Sequence, residues 1–118
     1  MTNPEADRLR GHSLLPADLS TLPPLYSTEN LRLDETVVHL HFFCAPACDW
    51  LLMEYDPQEE LAFGWACLND TQNAELGYFS LRELADLLVR TRDGVPVVVE
   101  RDLHWTPRPF SQVQFSGG

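Results

Sequence analysis

Three apolar runs follow one another at short intervals: ETVVHLHFF at residues 35–43, DWLLMEYD at residues 49–56 and LAFGWACL at residues 61–68. Each is rich in aliphatic, β-branched or aromatic residues, and turn-forming residues separate them, which is typical of β-strands. A shorter run, ELGYF at residues 75–79, predicts a fourth strand. Short consecutive strands of this kind favour an antiparallel sheet.

The segment after the fourth strand predicts one main helix over about residues 80–92. Ser80 and Glu83 have the spacing of a capping box, in which each side chain satisfies a free backbone N–H at the helix start. Apolar residues then recur at i, i+3, i+4 and i+7 along one helix face, and Gly94 supplies a stop. The face consists of Leu81, Leu84, Ala85 and Leu88. A fifth strand is predicted over residues 95–102.

The flanking segments set the expected domain limits. Residues 1–12 predict a flexible N-terminal tail, and residues 114–118 predict a flexible C-terminal tail. Residues 13–113 are expected to form a single globular α+β domain, an antiparallel sheet of four to five strands covered by the main helix. Residues 13–21 predict a short N-terminal helical turn within it.

The charge of the chain is strongly acidic and unevenly placed. There are 18 acidic and 8 basic side chains among 118 residues, which gives a net charge of −10. The whole excess lies between Glu29 and Asp86, where Arg32 and Arg82 are the basic residues. Such a surface repels phosphate backbones, so direct nucleic-acid binding is disfavoured, whereas basic protein surfaces are attracted. Solubility is the simpler interpretation of the same charge.

The sequence also predicts a cytoplasmic protein without membrane association. Residues 1–11 contain no apolar run of the kind found in a signal peptide. No stretch approaches the ~18 apolar residues that a membrane helix requires. Three cysteines without a secretion signal predict reduced thiols. The oligomeric state stays open.

One cluster contains residue types that bind zinc. His39, His41, Cys44 and Cys48 occur in the pattern H-x-H-x2-C-x3-C, and imidazole and thiolate are common zinc ligands. The pattern lacks the two distant paired ligands of a zinc finger. A solvent-facing strand edge with two His, followed by two small turn residues, is the simpler interpretation. We therefore predict no metal and no cofactor, with these four residues as weak candidates.

Four carboxylates form an alternative site. They are Glu29, Glu54, Glu100 and Asp102. The last three lie on predicted strands, and they would come together if those strands are neighbours. Converging carboxylates suit a divalent cation or general acid–base chemistry. No His, Ser or Lys completes a recognisable catalytic motif around them, and the chain contains no Lys at all. A solvated strand face is the simpler interpretation, and no catalytic residue is predicted.

Aromatic side chains are spread over several predicted elements. The first interpretation is that they build the core, and the second is that some form a surface patch that anchors a partner, since Tyr and Trp are favoured at interface hot spots. The residues concerned are Tyr26, Trp50, Tyr55, Phe63, Trp65, Tyr78 and Phe79.

Several short motifs, in this order, resemble a bacterial family known as domain of unknown function 2958. They are Leu25-Tyr26-x-Thr28-Glu29, Phe42-Phe43, Trp50, Glu54-Tyr55-Asp56, Phe63-Gly64, the block from Glu75 to Leu84, Glu100-Arg101-Asp102-Leu103 and Pro107-x-Pro109. The resemblance covers roughly residues 14–113. It implies a place among plasmid, integrative-element and phage genes, and it carries over no catalytic residue. The chain departs from the family in the paired Cys44 and Cys48 and in about two extra residues within residues 94–102.

These observations together favour a small acidic non-enzymatic interaction protein of a mobile genetic element. It would inhibit a host nucleic-acid-binding or defence complex, of restriction or CRISPR type, by occupying that complex's basic surface. The predicted partner-binding face consists of Glu54, Asp56, Glu59, Glu60, Asp70 and Glu75. One alternative is a small-ligand or divalent-metal-binding domain, with hydrolytic activity included, that uses the four carboxylates. Another is a structural or regulatory subunit that is stable only in an oligomer.

Overall fold

The apolar runs of the sequence form the central strands of the structure. The computed structural model describes residues 4–44, 48–68 and 74–113. In chain order its helices and strands are α1 (Pro4–Arg10), β1 (Val37–Val38), β2 (Leu40–Cys44), β3 (Cys48–Asp56), β4 (Leu61–Leu68), β5 (Glu75–Ser80), α2 (Leu81–Asp86), β6 (Leu88–Arg90), β7 (Pro96–Val98), β8 (Glu100–Arg101) and β9 (Arg108–Pro109). Short 3₁₀ helices span Leu33–Glu35 and Phe110–Gln112.

The largest sheet has five strands in the order β5-β4-β3-β2-β8, and every neighbouring pair is antiparallel. Two small antiparallel sheets, β1-β9 and β6-β7, complete the strand pairing within the described residues. The predicted α+β class with an antiparallel sheet is therefore confirmed. Among residues 4–44, 48–68 and 74–113, no helix is long and apolar enough to cross a membrane.

The five-stranded sheet is covered on both faces, and each face has its own apolar cluster. On the first face, Leu81 and Leu84 of α2 pack with the buried residues Phe42, Trp50 and Leu52. On the second face, the cluster consists of Val38, Leu51 and Met53, against which Trp65, Trp105, Phe110 and Val113 pack. The C-terminal segment thus supplies much of the cover for the second face.

Helix α2 is shorter than the sequence predicts. Ser80 caps it as expected, because its Oγ accepts a hydrogen bond from the Glu83 N–H at 3.2 Å. The helix ends at Asp86, and residues 88–90 form β6, which pairs with β7. Gly94 has a φ of +80° and lies in the turn between β6 and β7. The glycine predicted to stop the helix therefore closes a hairpin instead.

The N-terminal segment also differs from the prediction. The helix lies at Pro4–Arg10, within the predicted tail of residues 1–12, and Arg10 is buried. Residues 13–21 contain no helix, although Leu14, Leu15 and Leu19 do contact the first-face cluster. Hydrogen bonds of Arg10 help to hold this helix against the domain, so no apolar stripe in the sequence predicts it. Residues 1–3 and the predicted tail at residues 114–118 lie outside the described residues.

Two predicted strands are each divided in the structure. His39 separates β1 from β2, so Val38 packs on the second face while Leu40 packs against the first. An unbroken strand over residues 35–43, as the sequence predicts, would place these two residues on one face, and that prediction is wrong. Val99 separates β7 from β8 and is fully buried on the first face. The predicted fifth strand therefore contributes to two different sheets.

Candidate functional site

A β-bulge in β3 is the local feature that builds the site. The register with β4 shifts between Leu52, which pairs with Gly64, and Glu54, which pairs with Phe63. A Cβ at Gly64 would lie 1.8 Å from the Leu51 carbonyl oxygen, so the close approach of the two backbones requires glycine. The extra residue re-aims the side chains that follow it, as bulges beside functional sites do.

The bulge brings the carboxylate of Glu54 under the loop that precedes the sheet. Glu54 is 3% exposed, and its Oε1 accepts the Tyr26 N–H at 2.8 Å. Its Oε2 accepts the Thr28 N–H at 2.8 Å and also the Thr28 hydroxyl. Hydrogen bonds to a carboxylate are among the stronger ones, and three of them compensate for the burial of this charge. Glu54 therefore fixes the conformation of the loop.

The loop holds Tyr26 in a strained backbone conformation. Its φ is +71°, in the left-handed region that bulky side chains seldom adopt. Such a residue costs of order 1–3 kcal/mol and persists only where its surroundings impose it, as ligand-binding segments often do. Here the carboxylate of Glu54 imposes it, and the Tyr26 side chain projects into solvent with 63% of its surface exposed.

Tyr26 lies next to Tyr78 of β5, with which its side chain makes a hydrogen bond. The pKa of the Tyr78 hydroxyl is raised above its ordinary value of 10.0 by desolvation, then by that hydrogen bond, and then by Glu54 and Glu29. Tyr78 therefore stays neutral at physiological pH. Its ring also contacts Phe63 edge-on, at a centroid distance of 5.1 Å.

These residues enclose an open cavity of about 390 Å³, which we call the Tyr26 groove. Its walls and floor are formed by Tyr26, Thr28, Glu29, Leu31, Leu33, Thr36, Met53, Glu54, Phe63, Leu76 and Tyr78. Five of the large apolar side chains exposed in the described part of the chain lie here: Tyr26, Leu31, Leu33, Leu76 and Tyr78, each 39–63% exposed. Exposed apolar surface gathered in one place marks an interaction site more often than scattered residues do.

The predicted acidic face is not one surface. Glu54 is buried beneath the loop and is unavailable to a partner, which corrects its assignment. Glu59 is exposed in the β3–β4 turn, whereas Glu60 pairs with Arg82 at 2.7 Å. Asp56, at the same turn, is half-buried and accepts a hydrogen bond from the Gln58 N–H.

The remaining two members of that face lie elsewhere. Glu75 is exposed at the start of β5 and pairs with Ala66, about 16 Å along β4 from Leu61, the first residue after the turn. Asp70 lies outside the described residues. The described acids therefore do not form the continuous face that the sequence predicted, because the antiparallel hairpins carry them to opposite ends of the sheet.

The alternative four-carboxylate site is also divided. Glu29 and Glu54 both line the Tyr26 groove. Glu100 lies on β8, which β2 separates from β3, and its Oε1 is 3.7 Å from the His12 Nε2. Asp102 follows β8 and contacts His41 instead. The strands that carry Glu54 and Glu100 are not neighbours, so the condition on which convergence of the four carboxylates depended is not met.

The four weak metal candidates do not form a site. His41 binds two carboxylates on the second face of the sheet, whereas Cys44 is buried in the first-face cluster with Cys48 packed against that cluster. Burial, followed by Cys48 and Glu100, raises the pKa of the Cys44 thiol, which disfavours the thiolate that metals bind. His39 shows a lowered pKa caused by burial. Within the described ranges, no group of three or more His, Cys, Asp and Glu could hold a metal ion.

A second polar cluster was not predicted from the sequence. The His41 Nε2 lies 2.8 Å from Asp49 Oδ1, and its Nδ1 lies 3.1 Å from Asp102 Oδ2. Trp105 packs against the ring at a centroid distance of 5.3 Å and donates its indole N–H to the Val38 carbonyl. The cluster ties the segment after β8 to β2 and β3. The partners of His41 follow only from the strand order, which brings Asp49 and Asp102 to it.

The fold and the groove define a class of protein: a small, acidic α+β protein with an open apolar groove beside one edge of an antiparallel sheet. A family model described as "Protein of unknown function (DUF2958)" matches residues 25–113, most of the chain, so the protein belongs to that family. The resemblance seen in the sequence is thereby confirmed. The groove lies within the matched range, whereas α1 lies outside it. Comparison with curated proteins and with solved structures gives no match.

Proposed function

We propose that this protein is a non-enzymatic interaction protein that docks a partner protein in the Tyr26 groove. The observation that carries the proposal is the convergence of five exposed apolar side chains with Glu29 in one open cavity. The partner would present a basic side chain flanked by apolar ones. The interaction site is then the groove, in place of the acidic face that the sequence predicts.

The chemistry of the groove supports a basic partner. Tyrosine rings attract cations to their faces, and Tyr26 and Tyr78 are both exposed beside the exposed residue Glu29. The net charge of −10 steers basic surfaces toward the molecule and raises the association rate. Tyrosine and leucine side chains desolvated at the centre of the contact would then supply most of the binding energy.

The negative charge of the molecule also favours one kind of partner. A protein that holds nucleic acid carries a basic surface, and an acidic protein that covers this surface would inhibit it. We therefore propose a host nucleic-acid-binding or defence complex as the target, in keeping with the mobile-element setting that the family resemblance implies. Net acidity and the absence of basic side chains among the residues lining the groove support this choice.

The test is capture of partners from a bacterial lysate by the tagged protein at about 50 and about 300 mM salt. Tyr78→Ala and Glu29→Gln alter the groove, whereas Leu103→Ala and Glu59→Gln remove equally exposed groups that do not line it. We expect recovery of a nucleic-acid-binding protein to fall about tenfold or more with Tyr78→Ala and to stay unchanged with the two controls. Equal recovery by Tyr78→Ala and by the wild-type protein would contradict the proposal.

A small-ligand site is the second candidate, because a cavity of about 390 Å³ falls within the usual range for ligand pockets. The carboxylate oxygens of Glu54 are already engaged by Tyr26 and Thr28, so Glu29 is the carboxylate left to face a ligand. This function predicts that a small aromatic or aliphatic amine raises the Tm of the wild-type protein but not that of Tyr78→Ala. A flat response across a panel of amines would contradict it.

A further inference from the structure

We infer that the outer edge of β5 pairs with an extended segment of the partner chain, so that the segment becomes a sixth strand and places its basic side chain in the Tyr26 groove. This inference rests on the function proposed above and specifies how the partner binds. Addition of a strand to a free sheet edge is a common way to recognise an extended peptide.

The strand order leaves β5 at one edge of the five-stranded sheet. Within the described residues, β4 is its strand partner, and none of the other backbone hydrogen bonds involves residues 75–79. The opposite edge strand, β8, has two residues, whereas β5 has six. Proteins usually protect a free edge with charge, proline, a bulge or a very short strand. Residues 76–79 of β5 are Leu, Gly, Tyr and Phe, which offer none of these protections.

The side chains of β5 connect its free edge with the groove. Leu76 and Tyr78 are two residues apart, share one face of the strand and line the groove. An added strand would lie about 4.8 Å outside β5, and its side chains on that face would extend over the groove. Gly77 points to the other face, where the position of a Cβ has no heavy atom within 4 Å. A partner side chain has room to cover that glycine.

The charges around the groove specify the occupant. Glu29 is exposed and lines the groove, and none of the residues that line the groove is Arg, Lys or His. A segment that carries Arg or Lys, with apolar residues two positions away on the same face, matches the carboxylate of Glu29 and the exposed Leu76. Main-chain hydrogen bonds to β5 would supply affinity, and the groove would supply specificity.

The experiment is a selection of displayed random peptides of about twelve residues on the full chain, followed by fluorescence anisotropy of the selected peptides. We expect enriched sequences with Arg or Lys at one position and apolar residues at two positions before and after it. Replacement of that Arg by the neutral isostere citrulline, or the variant Tyr78→Ala, should weaken binding about tenfold or more. Leu103→Ala should leave the affinity unchanged within about twofold.

Backbone pairing is tested separately by methylation of the peptide nitrogens one at a time. In an added strand, alternate N–H groups face β5, so alternate methyl groups should weaken binding about tenfold while the others change it by less than about twofold. The changes are made in the peptide, so the folding of the protein is not affected. On binding, hydrogen exchange at the β5 amides that face outward should slow about tenfold or more.

Two results would overturn the inference while leaving the function proposed for the groove intact. One is a selected peptide that loses affinity with Tyr78→Ala but responds uniformly to nitrogen methylation. The other is a partner protein that is captured through the groove although the peptide library yields no enriched sequence. Loss of the Tyr78 dependence in both capture and peptide binding would instead contradict the proposed function itself.

Discussion

At the scale of single residues, the Tyr26 groove depends on Glu54. In Glu54→Gln, an amide NH₂ group replaces one of the two carboxylate oxygens that accept hydrogen bonds. This NH₂ group then faces another donor, which is either the Tyr26 N–H or the N–H and hydroxyl of Thr28. A buried donor left without a partner is costly, so we expect the free energy of unfolding to fall by about 2–3 kcal/mol in urea denaturation. Glu59→Gln, in an exposed turn, should change it by less than about 0.5 kcal/mol. Similar losses in both variants would show that Glu54 has no special role.

Gly64 permits the bulge that places Glu54, and it has a matched control across the strand pair. In Gly64→Ala, the new Cβ would collide with the Leu51 carbonyl oxygen, so the backbone of β3 must move. We expect a loss of about 3 kcal/mol or more, or a protein that does not fold. Gly77, its register partner on β5, has open space at the same position, so Gly77→Ala should be tolerated. Thermal unfolding of both variants checks the contrast, and equal Tm values would refute it.

Sequence reasoning identified Glu54 as a chemically important residue but placed it on the surface. A charged residue in an apolar run is normally exposed, and alternation alone cannot locate an inserted bulge residue. The sequence feature that could have indicated the bulge is Gly64, which follows Phe63 in the predicted third strand. A glycine inside a strand often marks a bulge or a close backbone approach. The partners of Glu54 come from residues 26–28, and no local pattern predicts that contact.

At the scale of elements, the buried Arg10 makes hydrogen bonds that join α1 to the rest of the domain. The Arg10 guanidinium donates to the carbonyls of Val99 at 2.7 Å and Ala85 at 2.8 Å, and it pairs with Asp7 at 2.9 Å. Arg10→Ala leaves two carbonyls without these donors, so we expect the free energy of unfolding to fall by about 2–4 kcal/mol in urea. Arg8→Ala, on the exposed side of the same helix, should cost less than about 0.5 kcal/mol. A small effect of Arg10→Ala would mean that the hydrogen bonds of Arg10 contribute little to stability.

The cluster around His41 makes the attachment of the segment after β8 dependent on pH. Burial acts to raise the pKa of Asp102, but hydrogen bonds from His41 and from the His104 N–H lower it below the ordinary 3.8. A lowered carboxyl pKa contributes stability that is present above the unfolded value and is lost as the pH falls through the folded value. We therefore expect Asp102→Asn to be about 1–2 kcal/mol less stable than the wild type near pH 6.

That difference should shrink steadily below pH 3.8, when the wild-type carboxyl itself takes up a proton. Urea denaturation between about pH 2.5 and about pH 6 measures it. Asp93→Asn, in the exposed turn between β6 and β7, serves as the control and should match the wild type within about 0.5 kcal/mol throughout. A deficit in Asp102→Asn that does not vary with pH would contradict this account.

The end of α2 could not be predicted from local sequence patterns. The apolar stripe from Leu81 to Leu88 fits a helix of about two turns, but Leu88 belongs to β6. Pairing of Leu88 with Val98 and of Val89 with Val97 decides the outcome, and this pairing joins residues ten and eight positions apart. The helix start was predictable because Ser80 and Glu83 act locally, whereas its end depends on a second strand.

At the scale of the whole molecule, the fold class was predictable and the groove was not. Runs such as residues 61–68 carry the preference for strands within their own composition, so an antiparallel sheet follows from local patterns. The groove is assembled from residues 26–36, 53–63 and 76–78, which only the tertiary fold brings together. Charge counting found the acidic middle of the chain, but the hairpins distribute those acids over both ends of the sheet.

The net charge of the molecule lowers its stability whether or not a partner is bound. A net charge of −10 on a small protein repels itself and destabilises the compact state. Raising the NaCl concentration from about 10 to about 150 mM shortens the screening length from about 30 to about 8 Å. We expect the free energy of unfolding, measured in urea at each concentration, to rise by about 1 kcal/mol over this range.

Variants that change the net charge in opposite directions separate this repulsion from other effects of salt. Replacement of the exposed Glu35, Glu59 and Glu75 by Gln removes three of the ten excess charges, so stability should depend less on salt and be no lower at about 10 mM. Arg92→Gln adds one excess charge at an exposed position and should make the dependence steeper. If all three proteins respond to salt with the same slope, self-repulsion is not the cause, and the acidic charge is then important only for the approach of a basic partner.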